Sequence, residues 1–92
     1  MRDASMLWGN VSGVPQSLVI SFTATATPEI TNYDTTYLAK FGNYPKVMLL
    51  ITDGSNELES MAVPVRYKTA GVLTRIAWDL SEAVSGKIIL YT

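Results

Sequence analysis

The chain has 92 residues, 48% hydrophobic and only 16% charged, with a formal net charge of −1. That length supports one core, since two would each be too small to hold themselves together. The absence of cysteine and histidine excludes a disulfide framework and zinc sites built on those ligands, and the near-neutral balance offers no basic footprint for nucleic acid or an anionic membrane.

A domain of this size hides only about 60–65% of the surface its unfolded form exposes. Ordinary soluble domains cover that surface with about 25% charged residues, well above the share here, so some apolar surface is expected to face another chain. The opening "MRDASMLWGN" lacks an apolar run of signal-peptide length, and no run approaches a membrane span, so neither secretion by such a signal nor insertion in a bilayer is expected.

Residues 1–17, with Gly9, Gly13 and Pro15 and no sustained period, read as an extended arm ahead of a single domain spanning 18–92. Met6, Leu7 and Trp8 are the arm's bulky apolar cluster. They either fold back on the domain or dock on a neighbouring subunit, where Met and aromatic side chains are favoured anchors. "SLVISFTATAT" alternates, placing Leu18, Ile20, Phe22, Ala24 and Ala26 on one face and Val19, Ser21, Thr23, Thr25 and Thr27 on the other, as in a half-buried strand. Its Thr ladder suits an exposed pleated face without any ligand.

Pro28 ends that strand. One short helix is expected near residues 35–41, capped by Asp34 or Thr35, with Tyr37, Leu38 and Phe41 sharing a side. Gly42 stops it, Pro45 prevents continuation, and Lys40 complements the helix dipole. "KVMLLIT" is apolar on both faces and predicts a central strand covered on both sides. Asp53-Gly54 is a hairpin-turn signal. "MAVPVRYK" alternates, with Met61, Val63, Val65 and Tyr67 on one side, and Pro64 assigns this strand to an edge or a bulge. "VLTRIAWDL" sets Val72, Thr74, Ile76, Trp78 and Leu80 against Leu73, Arg75, Ala77 and Asp79. "SEAVSG" reads as a loop ending at Gly86, and "KIILYT" as the closing strand. The whole predicts a mainly β chain, a small antiparallel sandwich or barrel-like domain.

Chemistry is sparse. Without histidine, Ser81 or Ser85 has only lysine as a base, and no spacing points to a dyad. Asp53, Glu57 and Glu59 alternate, whereas a calcium loop places its glycine after a later ligand; a turn is the better account, with a hydrolase using Asp53 and Glu57 as the remote alternative. Glycines at 42, 54, 71 and 86 stand singly as backbone punctuation, not as a phosphate loop. No cofactor or metal is expected. A glycan platform would need a flat exposed ring; Trp8, Tyr33, Tyr44 and Tyr91 are the open aromatics, while Phe22, Tyr67 and Trp78 read as buried.

The stretch "YDTTYLAKFGNYPKVMLLITDG", with the closing "SGKIILYT", resembles small β-rich modules of bacteriophage structural proteins. In these a short turn or helix ends at Leu/Phe-Gly, Pro follows, and x-Val opens an apolar strand leading to Asp-Gly. Phe41, Gly42, Pro45, Val47, Asp53, Gly54 and Gly86 carry the match, across about residues 30–92. The resemblance implies a non-enzymatic virion structural protein, in capsid, tail or fibre, that assembles with itself as a homo-oligomer and with other virion proteins. It carries no catalytic residues. A glycan- or receptor-binding sandwich module is the alternative.

Overall fold

The computed structural model describes residues 16–92. The elements are β1 (Ser17–Thr25), β2 (Glu29–Ile30), α1 (Tyr33–Thr36), α2 (Leu38–Phe41), β3 (Lys46–Asp53), β4 (Asn56–Glu59), β5 (Val65–Thr69), β6 (Val72–Ala77) and β7 (Val84–Tyr91). They make two antiparallel sheets, β1-β7-β3-β4 and β2-β6-β5. The mainly β, sandwich-like fold read from the alternation is the observed one.

Register puts the apolar rows where they meet. Leu18, Leu90 and Val47 stand side by side across three strands, as do Ile20, Ile88 and Leu49. From the other sheet come Ile30, Leu73, Ile76 and Trp78, and Tyr33 and Phe41 from the two helical turns complete the core. Leu73, Ile76 and Leu90 are completely hidden. Burying each such side chain contributes about 1.5–3 kcal/mol, so this set carries most of the domain's cohesion.

Several expectations are corrected by bulges. In β1, Phe22 lies opposite Gly86 and Thr25 opposite Val84, so one extra residue is inserted. Ala24 takes a φ of +47° there and donates its N–H to Ser85 Oγ at 3.0 Å. The bulge turns Ala24 outward and breaks the Thr ladder. In β6, Tyr67 faces Arg75 and Lys68 faces Leu73, leaving Thr74 extra. An inserted residue flips the pleat, and Leu73 therefore joins Ile76 and Trp78 inside rather than opposing them.

The expected single helix is two separate turns broken at Tyr37. Neither Asp34 nor Thr35 caps it: Asn32 holds the cap position at φ +53° without a side-chain cap bond, and Thr35 Oγ1 instead donates to Asn32 O. Strand β3 is central, between β7 and β4, but only one of its faces meets the core. Met48 and Leu50, on the other, are half-buried. Gly86 is not loop punctuation. It lies inside β7, fully enclosed, and a Cβ there would collide with the Leu50 carbonyl of β3. Only glycine permits that approach.

The segment 42–45 is a tied joint. Tyr33, fully buried, donates its hydroxyl to Gly42 O at 2.6 Å. Asn43 Oδ1 accepts from Leu73 N at 3.0 Å, beside the β6 bulge, and Arg66 Nη1 donates to Pro45 O at 2.8 Å. Three elements thus hold the chain as it leaves α2, at Gly42 with φ +77°, and enters β3. Burial pushes the Tyr33 hydroxyl above its ordinary pKa, with the Arg66 guanidinium pulling weakly the other way.

Candidate assembly surface

Polar chemistry gathers nowhere into a catalytic cluster among the described residues. Asp53 and Glu57 lie on the β3–β4 hairpin, whose two-residue Gly54-Ser55 loop has positive φ only at Gly54, the II′ pattern. Glu57 is engaged by Lys87, 2.7 Å away across β3. No group of three or more Asp or Glu is placed to hold a metal among the described residues.

What stands out is apolar and exposed. Among the described residues the large apolar side chains left in solvent are Leu18, Val19, Tyr44, Leu58, Met61, Val63, Val65 and Tyr67. Four of these form one alternating row, with Met61 91% exposed, Val63 84%, Val65 53% and Tyr67 42%. The intervening Ala62 and Pro64 are partly buried, and Ala62 packs against the core. The sequence period is therefore real, but its apolar face points out. Only Val65–Thr69 is a strand; Met61–Pro64 is the crossover that carries the chain from β4 of one sheet to β5 of the other.

Strand β5 is an edge strand, one of the two placements Pro64 allowed. Its outer face continues across the sheet as Val65 beside Ala77 and Tyr67 beside Arg75. The Arg75 guanidinium stacks on the Tyr67 ring, 3.9 Å from its centre, while its Nε lies 3.6 Å from Glu29 and makes no hydrogen bond. A shallow recess of about 390 Å³ opens there, reaching Thr27 and Asp79. On the opposite face of β5, Arg66 is tied to Pro45 and the Lys68 ammonium sits 4.0 Å over the Tyr44 ring. The positive charges of β5 and the apolar row thus occupy different faces.

The other sheet edges are protected in recognised ways. β2 has two residues; β4 has four, with Glu57 and Glu59 among them; β1 carries the Ala24 bulge. Among the described residues β1 is uncharged and leaves Leu18 and Val19 exposed, while β5 carries Arg66 and Lys68 on one face and is entered through the apolar row that begins at Met61.

Of the residues singled out from sequence, Met6, Leu7 and Trp8 lie outside the described residues. Gly42 and Pro45 form the tied joint, Gly54 the hairpin turn, and Gly86 the close contact between β7 and β3. Among the aromatics, Tyr33 is buried rather than open, Tyr67 open rather than buried, Trp78 buried, and Tyr44 exposed. The row Met61, Val63, Val65 and Tyr67 was missed because alternation reveals a period and not which side is inside; the signal was Pro64 and Ala62 opposite, too small to need an open face. Comparison with protein-family models, with curated proteins and with solved structures finds no match.

Proposed function

We propose that this chain is a non-enzymatic structural module that works through protein–protein contacts, as a component of a bacteriophage or prophage virion. The observation that carries the assembly reading is the exposed row Met61, Val63, Val65 and Tyr67 running into an open sheet edge. An apolar row of this kind costs free energy in water and is stabilised when another chain covers it. The virion setting rests on the resemblance carried by Phe41, Gly42, Pro45, Val47, Asp53, Gly54 and Gly86. Within it the arm residues Met6, Leu7 and Trp8 are a second set of contacts. Glycan recognition has less support, since among the described residues the exposed rings Tyr44 and Tyr67 each have a cation over one face.

Light scattering across a range of concentrations tests this, on the full chain and on one lacking residues 1–15. A mass above the 10.1 kDa monomer that grows with concentration is the expected result, reduced by the deletion. A monomer at every concentration in both forms, 10.1 kDa for the full chain and correspondingly less for the shortened one, would overturn self-assembly.

A further inference from the structure

Resting on that assembly reading, we propose that Met61 is an oxidation site, through which peroxide weakens the contact made by the exposed row without unfolding the domain.

The chain has four methionines, Met1, Met6, Met48 and Met61, and the first two lie outside the described residues. The other two differ in their surroundings. Met48 is half-buried in β3, opposite Ile89 of β7 and with β4 on its other side. Met61 is 91% exposed on the crossover between the sheets. The main chain on either side of it is tied down. Ser60 N donates to Leu49 O at 2.8 Å and Ala62 N to Ser60 Oγ at 3.1 Å, while Ala62 packs against the core. The folded chain thus presents the Met61 thioether to solvent with no opening of either sheet, and shields that of Met48.

Peroxide oxidises such a thioether in one step. A sulfur lone pair attacks one peroxide oxygen, an S–O bond forms as the O–O bond breaks, and water leaves. Sulfur is oxidised and the peroxide is reduced. The product, methionine sulfoxide, is polar where the thioether was apolar, and sulfoxide reductases reverse the change.

The change falls at the head of the row Met61, Val63, Val65 and Tyr67. Covering one Met side chain strengthens an association by about tenfold or more. A sulfoxide forfeits that gain, because its oxygen must give up water to be covered. Folding is spared, since Met61 is nearly as exposed in the native chain as in an unfolded one.

The test treats the full chain and its Met61→Leu variant with dilute hydrogen peroxide. Oxidation is mapped by the mass of each methionine-bearing peptide, and self-association is measured by light scattering before and after. Met1, Met6 and Met48 are common to both proteins, so their oxidation cancels in the comparison. Met61 is expected to oxidise well before Met48, with the circular dichroism spectrum and melting temperature unchanged. The dissociation constant of the natural chain should rise about tenfold while that of Met61→Leu stays put, and sulfoxide reductases, one for each epimer, should restore it. Met48 oxidising as fast as Met61, an oxidised chain that associates as tightly as before, or a weakening shared by Met61→Leu would each overturn this site and leave the assembly reading standing. A chain that is monomeric before any oxidation would overturn self-assembly and this inference with it.

Discussion

Replacing Tyr33 with phenylalanine removes one oxygen from the core and keeps the ring. That oxygen donates to Gly42 O at 2.6 Å and fixes the joint where α2 hands over to β3. A hydrogen bond of this kind contributes about 0.5–1.5 kcal/mol net, and in a domain of this size 1 kcal/mol shifts the melting temperature by about 4–8 °C. Tyr33→Phe is therefore expected to lose about 1 kcal/mol at neutral pH, read by urea denaturation followed with circular dichroism. The pH dependence makes the test sharper. Burial raises the Tyr33 hydroxyl pKa in the folded chain above its value in the unfolded one. The fold thus favours the neutral phenol. Its contribution is fully present below the ordinary value of about 10 and is lost as pH rises through the higher folded value. The phenylalanine variant has no such loss, so the stability difference between the two proteins should shrink above about pH 10. Other tyrosines and lysines titrate there too, but they are common to both proteins and cancel. Equal stability at pH 7, or a difference that holds constant into the alkaline range, would refute the placement of this hydroxyl.

Two further substitutions probe the backbone. Gly86→Ala sets a Cβ onto the Leu50 carbonyl, so β7 and β3 must separate; a loss of about 1–3 kcal/mol is expected, visible as a lowered melting temperature and faster amide exchange in both strands. Ala70→Asn should act in the opposite direction. Ala70 at φ +52° and Gly71 at φ +80° join β5 to β6, the turn that favours Asn-Gly, and removing an alanine from the left-handed region is expected to gain up to about 1 kcal/mol in thermal unfolding.

The β class, a hairpin turn at Gly54 and the edge position of β5, one of the two placements Pro64 allowed, were legible because each depends on local chemistry: alternation, a glycine after Asp53, a proline at 64. What was illegible depended on insertions. The bulge in β6 moves Leu73 from the outer list to the fully buried core, and nothing in "VLTRIAWDL" marks Thr74 as the extra residue. The β1 bulge at Ala24 likewise looks like uninterrupted alternation. Tyr33 was misread for a different reason. Its burial is set by a partner nine residues on, the Gly42 carbonyl, and a phenol that finds an acceptor can be enclosed where its polarity alone argues for the surface. At the candidate surface the period was legible and its direction was not. A row of Met, Val, Val and Tyr satisfies the inside equally well, and only the three-dimensional course of the crossover from β4 to β5 turns it out.

That crossover also separates what folds the domain from what another chain can touch. Ala62 is the residue of the crossover that packs against the core, so the turn inward is made by a side chain contributing little apolar area. Met61 and Val63 on either side of it contribute almost none to folding, being 91% and 84% exposed. Substituting them changes the free energy of the surface while leaving the rows around Leu49, Ile88 and Leu90 intact, since distant sites without shared partners act additively. The shortage of charge in the composition then has a location. Half of the large apolar side chains left in solvent among the described residues, Met61, Val63, Val65 and Tyr67, stand in one row that leads into one open edge, where a single contact with another chain can cover them.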